Sequence, residues 1–237
     1  MAFRAGVVIV CAGGGKRLGR IDKAVLRLKD KPLFYHAFRI FQEIKEIKQI
    51  VLVLRKNHIK LAKKLIPESE FLPLRQIITS GGKNKRVLVV EGGQKRRDSV
   101  YNGLSALGTD VNYAIIHDGA RPFADREVVL RILKELRNHP AVTCGIKSCD
   151  TLKLVDKGFI KQTLPRKDIF LIQTPQGFKK TLILEAHKKF GDRRVFDDAQ
   201  LIELMGKRVK VVEGDIRNIK ITYPKDILLA RAIADSI

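Results

Sequence analysis

The sequence predicts a doubly wound α/β fold, a mostly parallel twisted sheet flanked by helices. Two patterns carry that expectation. Short apolar, β-branched runs of strand length alternate with segments whose apolar residues recur at helical spacing. The strand-like runs are also apolar at consecutive positions, as in strands covered on both faces. A third pattern, strand–turn–strand late in the chain, predicts a protruding β-hairpin arm.

Val7–Val10 is the first buried strand, and a Gly-rich loop follows it. Pro32 suits a helix start, and Leu33, Ala37, Ile40, Phe41 and Ile44 mark one helical face. Val51–Leu54 reads as a second buried strand, His58–Leu65 as a short helix and Ser80–Asn84 as a flexible loop. Val87–Val90 is strand-like, and Ser99–Leu107 is helical with Asp98 or Ser99 as its cap. Ala114–Ile116 is a buried strand running into His117-Asp118-Gly119. Asp125 caps a helix through Leu136, with Val128, Val129, Ile132, Leu133 and Leu136 on its apolar stripe. Thr151–Val155, Asp156-Lys157-Gly158 and Phe159–Leu164 make the hairpin. Ile169–Gln173 resumes the strands, Leu182–Phe190 and Asp198–Met205 are helices, and Val209–Val212 and Ile219–Thr222 are strands. Pro224 opens a last helix through Ile233. The reading is one domain over residues 1–237, with an arm at about 148–168.

Composition narrows the class. With 47 Lys+Arg against 25 Asp+Glu the formal charge is +22, and a hydrophobic fraction of 45% argues against disorder. No apolar run approaches the roughly 20 residues of a membrane span, and the start of the chain is too quickly broken for a secretory signal. Cys11, Cys144 and Cys149 form no CxxC pair and leave one over in any pairing, which suits a reducing cytoplasm. The charge invites a nucleic-acid reading. However, the basic residues are spread along the chain, with short clusters only at Lys83–Arg86 and Lys95–Arg97, and no nucleic-acid motif accompanies them. The expected partner is a small anionic substrate, without nucleic acid or membrane.

Four segments are placed for chemistry. Cys11-Ala12-Gly13-Gly14-Gly15-Lys16-Arg17-Leu18-Gly19 follows the first strand, where glycines let backbone N–H groups close on phosphates. It fails the P-loop, because Arg17 follows Gly15-Lys16, and it fails GxGxxG at Leu18. A long cationic loop with Arg17 and Lys23 suits a triphosphate. Gly92-Gly93-Gln94-Lys95-Arg96-Arg97-Asp98-Ser99 is a second loop, and by itself it is satisfied as a turn and a helix cap. His117-Asp118-Gly119-Ala120-Arg121-Pro122 sets a carboxylate after a buried strand, where it could hold Mg²⁺ against phosphates or simply pair with a cation. Asn218-Ile219-Lys220-Ile221-Thr222 puts Lys220 on a late strand.

In order along nearly the whole chain, these segments resemble the 2-C-methyl-D-erythritol 4-phosphate cytidylyltransferases of non-mevalonate isoprenoid biosynthesis. The resemblance rests on Ala12-Gly13-Gly14-Gly15-Lys16-Arg17, on Gly92-Gly93 with Arg96, Asp98 and Ser99, and on His117-Asp118 with Ala120-Arg121-Pro122. It continues through Asp150-Thr151-Leu152-Lys153, Gln173-Thr174-Pro175-Gln176 with Phe178, Asp197-Asp198-Ala199 and Asn218 to Thr222. It implies a Rossmann-like nucleotidyltransferase fold that joins a sugar-alcohol phosphate to CTP and releases pyrophosphate. It further implies Arg17, Lys23 and Lys220 as catalytic groups and Asp118 as the Mg²⁺ ligand. Cys11, Ala12, Gly13, Gly15, Gly93, Gln94, Ser99 and Gly119 would bind nucleotide. Thr151, Arg166 and Lys220 would bind the alcohol phosphate, the first two across a homodimer formed through the arm.

Three positions depart from the family pattern. Asp22 stands where Pro usually precedes the lysine, Gln94 where an acid is common, and Phe196 where many members have a Thr that contacts the alcohol phosphate. Ribitol-5-phosphate cytidylyltransferases share these loops and are the alternative within the chemistry. A basic nucleic-acid-binding protein and an NAD-dependent oxidoreductase are the alternatives outside it.

Overall fold

The structure, a computed structural model, describes residues 3–13, 25–66 and 85–236. The expectations for Gly15, Arg17, Lys23 and the Ser80–Asn84 loop lie outside these residues. In chain order the elements begin with β1 (Ala5–Val10), β2 (Arg27–Leu28), β3 (Lys31–Pro32), α1 (Leu33–Gln42), β4 (Ile47–Leu54) and α2 (Ile59–Leu65). Next come β5 (Arg86–Glu91), α3 (Arg96–Ser105), β6 (Tyr113–Asp118), α4 (Arg126–Glu135) and β7 (Ala141–Lys147). The chain continues with β8 (Leu152–Asp156), β9 (Phe159–Leu164), β10 (Phe170–Lys179), α5 (Lys180–Lys189), α6 (Ala199–Leu204), β11 (Lys210–Glu213) and α7 (Lys225–Asp235).

Seven strands form one sheet in the order β11-β7-β10-β6-β1-β4-β5. β10 alone runs antiparallel to its neighbours, β6 and β7. Every residue of β1 is buried, because helices cover both faces. On one face α1, α2 and α4 pack Phe34, Phe38, Phe41, Ala62, Val129 and Leu133 against Val7, Ile9, Ile50 and Leu52. On the other, α3, α5 and α6 pack Val100, Leu104, Ile183 and Leu201 against Val8, Val10, Val51 and Val53. Each such large apolar side chain contributes about 1.5–3 kcal/mol by leaving water.

The strand order fixes where a ligand can sit. From β1 the chain steps outward through β4 to β5, then crosses back to place β6 on the other side of β1. In open α/β sheets the crevice at such a reversal, beyond the carboxyl ends of the strands, takes the ligand. Here those ends are Val10 and Asp118, which are paired in register. Gly119 N–H donates to Val10 O at 3.0 Å. A Cβ on Gly119 would lie 2.1 Å from Cys11 Sγ, so glycine is what lets the two strand ends approach.

The hairpin β8–β9 stands where the sequence places it. Lys157 and Gly158 take φ of 48° and 88°, and two successive positive φ values are what a two-residue hairpin turn with the twist of its strands requires. Phe159 is 79% exposed and Ile160 65%.

Four local expectations are corrected. Ala141–Lys147 is a strand that the sequence reading did not mark. The strand read as Ile169–Gln173 runs on to Lys179. α3 begins at Arg96, not Ser99, so its cap is Lys95; Asp98 sits in the first turn and accepts from Lys95 N–H at 3.0 Å. Finally, Lys220 is not on a strand. Ile219–Thr222 is irregular, with Ile221 N–H donating to Ala120 O at 2.9 Å.

Candidate active site

At the carboxyl end of β6, Asp118 is 6% exposed and both of its oxygens face cations. Lys220 Nζ donates to Oδ2 at 2.6 Å, and Arg96 donates to Oδ1 from Nε at 3.0 Å, with its terminal NH2 at 2.9 Å. Burial alone would raise the Asp118 carboxyl, but Arg96 and Lys220 outweigh it and hold the group well below the usual carboxylate range. Arg96 also reaches Asp198, NH2 to Oδ2 at 2.8 Å, and His187 Nε2 lies 3.4 Å from the other oxygen of Asp198. The result is an alternating chain, Lys220–Asp118–Arg96–Asp198–His187, crossing from the 218–222 segment to α5. Burial would lower Arg96, yet the two carboxylates raise it further than burial lowers it. It is a permanent cation.

A neutral network fixes the backbone beneath Asp118. His117 is fully buried, and burial holds its imidazole at about 4. Its Nε2 lies 2.9 Å from Arg121 O, a carbonyl that can only accept, so Nε2 carries the hydrogen. Nδ1 therefore accepts from Thr174 Oγ1 at 3.2 Å, which leaves that oxygen to accept the Asp118 N–H at 3.0 Å. Lys220 is set by its own anchor. Asn218, fully buried, donates from Nδ2 to Thr174 O at 2.9 Å, and its carbonyl accepts from Arg121 NH1 at 2.6 Å.

The described residues of the first and second glycine-rich loops lie around the same crevice. Cys11 and Ala12 are buried just past β1, and Gly13 is exposed. Burial, then the Asp118 charge, pushes the Cys11 thiol up out of the range in which it would ionise at neutral pH, so it is no nucleophile. Across from it, a Cβ on Gly92 would meet Ala12 Cβ at 2.2 Å. Gly93 N–H donates to Ser99 Oγ at 3.1 Å, and that hydroxyl lies 3.2 Å from Lys95 O, folding the second loop onto the start of α3. Gln94 is exposed.

The structure thus joins Asp118, Lys220, Gly119 and the described part of the first loop. It does not bring Thr151 or Arg166 into the cluster within one chain. Both are exposed at the base of the hairpin, where Arg166 donates to Cys149 O. The sequence reading gave no role to Arg96, Asp198, His187 or Thr174. Membership of the ordered motifs was the one signal for Arg96, Thr174 and Asp198, and His187 had none, since nothing local couples residues so far apart in the chain. Phe196, two residues before Asp198, is 84% exposed.

The chain matches the family model described as 2-C-methyl-D-erythritol 4-phosphate cytidylyltransferase over residues 5–236. It is 37% identical over 235 residues to the protein of that name from Clostridium botulinum, covering 98% of this chain and 97% of the relative. Against the protein of that name from Caldanaerobacter subterraneus it is 37% identical over 227 residues, 94% of this chain and 95% of the relative. Among solved structures, it resembles the 4-diphosphocytidyl-2C-methyl-D-erythritol synthase of Anaerococcus prevotii with a TM-score of 0.83 at 31% identity, covering 98% and 96% of the two chains. The 2-C-methyl-D-erythritol 4-phosphate cytidylyltransferase of Thermus thermophilus superposes with a TM-score of 0.75 at 29% identity, covering 98% and 99%.

Proposed function

The chain belongs to the 2-C-methyl-D-erythritol 4-phosphate cytidylyltransferase family, a family of nucleotidyltransferases, and from that premise we propose how its residues perform the transfer. The reaction moves CMP from CTP to 2-C-methyl-D-erythritol 4-phosphate, in isoprenoid biosynthesis, and releases pyrophosphate. An oxygen of the alcohol phosphate attacks the α-phosphorus, and the bond to the β-phosphate oxygen breaks. The attacking oxygen is already ionised, so no side chain has to take its proton. What the protein must supply is in-line positioning and positive charge. Arg17, Lys23 and Lys220 supply charge to the triphosphate, and the backbone N–H groups of the first loop hold it. Cys11, Ala12, Gly13, Gly15, Gly93, Gln94, Ser99 and Gly119 form the walls for nucleoside and phosphates. The observation that carries this reading is the 2.6 Å contact of Lys220 with Asp118 at the reversal of strand order.

Mg²⁺ fits the same place. Asp118 is an ionised hard-oxygen donor, and no group of three or more His, Cys, Asp or Glu is found among the described residues. Mg²⁺ is commonly held by one or two carboxylates together with substrate phosphates and water, so a single carboxylate suits it. Bound there by Asp118, it would neutralise charge on the triphosphate. The alcohol phosphate is assigned to Lys220 and, from a second subunit, to Thr151 and Arg166. The exposed Phe159 and Ile160 of the arm support a homodimer formed through the hairpin. A cytoplasmic location is part of the same proposal; among the described residues, no helix is long and apolar enough to cross a membrane.

The test is pyrophosphate release from CTP with a panel of alcohol phosphates, with and without Mg²⁺. Turnover of 2-C-methyl-D-erythritol 4-phosphate that requires Mg²⁺ is expected. Preference for ribitol 5-phosphate would replace the assigned alcohol, and no turnover with either would overturn the reading.

A further inference from the structure

The two cations on Asp118 are not equivalent. Arg96 is held by two carboxylates: its NH2 sits between Asp118 Oδ1 and Asp198 Oδ2 at 2.9 and 2.8 Å, and its Nε donates to the same Asp118 oxygen at 3.0 Å. Asp198 is itself 2% exposed, so withdrawing Arg96 would strand a buried charge. Lys220 is different. Its side chain is 41% exposed, and its ammonium contacts Asp118. A planar guanidinium suits a fixed bridge between two carboxylates, whereas an ammonium on a four-carbon stem suits a contact that can be exchanged.

On the reading of Asp118 and Lys220 given above, we infer that Arg96 and Asp198 are positioning residues for nucleotidyl transfer. They pin Asp118 through one oxygen and leave Lys220 as the cation that moves from the other oxygen onto the triphosphate. A triphosphate carries more charge than one carboxylate and draws the ammonium away. The released Oδ2 then accepts a cation that arrives with the nucleotide, while Oδ1 keeps the carboxylate in place. This gives one lysine two partners in succession and gives the buried Asp198, linked to Asp118 through Arg96, a share in the site.

Calorimetric titration of the intact protein with CTP in EDTA tests the exchange. Asp118→Asn frees Lys220, so CTP is expected to bind about tenfold tighter, and most of that gain should vanish when Lys220→Gln is added. An equal gain with and without Lys220 overturns the exchange, because the carboxylate would then merely repel nucleotide. The anchor is tested by Arg96→Lys, which keeps the charge but loses the second, Nε contact that fixes Asp118 Oδ1. The Mg²⁺ concentration that half-saturates its effect on CTP affinity should rise about tenfold, as for other residues that orient a metal ligand. At saturating Mg²⁺, kcat should largely recover. Asp198→Asn should behave alike. A lowered Tm with unchanged Mg²⁺ dependence in both variants makes the pair structural only and overturns the positioning role. If Mg²⁺ does not alter CTP affinity in the wild type, the metal reading of Asp118 fails instead, and the EDTA titrations, which need no metal, still decide the exchange.

Discussion

Lys220 Nζ lies 2.6 Å from Asp118 Oδ2, although the two residues are 102 positions apart in the chain. No strand pairing delivers that contact. The 218–222 segment is held by the buried Asn218, which donates to Thr174 O, and by Ile221 N–H on Ala120 O. Because the lysine is partly exposed while Asp118 keeps Arg96, Lys220→Met should leave a folded protein with a Tm near that of the wild type. Its kcat should fall about 100-fold if the ammonium stabilises charge that develops in transfer. Steady-state kinetics beside a thermal melt measure both.

Arg17 and Lys23 lie outside the described residues, and their assignment is the sequence's own. Arg17→Ala and Lys23→Ala should each lower kcat by about 100-fold. As plain solvated charges, they would change stability by about 0.5 kcal/mol or less and leave turnover near normal. Asp22 is the neighbour to watch, since its carboxylate can compete for Lys23. Asp22→Asn should then raise kcat or leave it unchanged, and a large loss would show that Asp22 serves the loop in another way.

Asp198 ties stability to pH. Burial would raise its carboxyl, but Arg96 and then His187 outweigh burial and lower it. A carboxylate depressed on folding adds stability that is present above its unfolded value, about 3.9, and that is lost as pH falls below it. Asp198→Asn should therefore cost about 3 kcal/mol at pH 7, by leaving Arg96 underpaired. Its loss of stability from pH 5 downward should be shallower than that of the wild type. Urea melts across that range would refute the coupling if the two acid limbs run parallel.

Gly103 tests the packing under the site. A Cβ there would lie 2.2 Å from Val8 Cγ1 and 2.8 Å from Val53 Cγ2, both on central strands. Neither wall can retreat without moving β1 or β4. Gly103→Ala should destabilise the protein by about 1–3 kcal/mol through overpacking, despite alanine's better helix propensity. A stabilised variant would mean that α3 can slide away from the sheet.

What the sequence made legible follows from which forces act locally. β1, β4 and β6 carry short apolar runs, Val7–Val10, Ile50–Leu54 and Ala114–Ile116, buried on both faces, and β5 carries a less deeply buried one, Val87–Val90. β7 escaped because Ala141, Thr143 and Gly145 dilute its apolar residues. β10 was cut short because its second half is polar and contains Pro175, which sits in the register shift between Gln173 and Gln176. Those polar residues are nevertheless buried: Gln173 donates to Asp215 O, Thr174 accepts from Asp118 N–H, and Gln176 donates to Asp197. A strand that serves the site hides its period. The same holds for Ile219–Thr222, whose alternating isoleucines imitate a strand while the segment is fixed by the Asn218 side chain and a single backbone bond, Ile221 N–H to Ala120 O, and not by a ladder. Asp118 and Lys220 were legible as charges in suggestive places. The Arg96–Asp198 bridge was not, because it links two helix starts through charge alone.

The arm sets the last expectation. β8 and β9 bury almost nothing on themselves, and Leu154, Val155, Phe159 and Ile160 are all exposed. A two-stranded ribbon with its apolar side chains in water is marginal alone, and two copies can cover each other about a two-fold axis. Arg166 lies at the base of this ribbon on Cys149 O, making none of its described contacts with Asp118 or Lys220 of its own chain. If it grips the alcohol phosphate, it does so in a neighbour, where a guanidinium can bind phosphate through paired hydrogen bonds. Mixing an Arg166→Ala chain with an Arg17→Ala chain, each inactive alone, should restore activity. In a mixed dimer, one of the two sites combines an intact Arg17 from one chain with an intact Arg166 from the other. With random exchange half of the dimers are mixed and each has one working site, so recovery should approach about one quarter of wild-type activity per chain. No recovery despite demonstrated exchange, or a monomer at assay concentration, would overturn the cross-subunit role of Arg166.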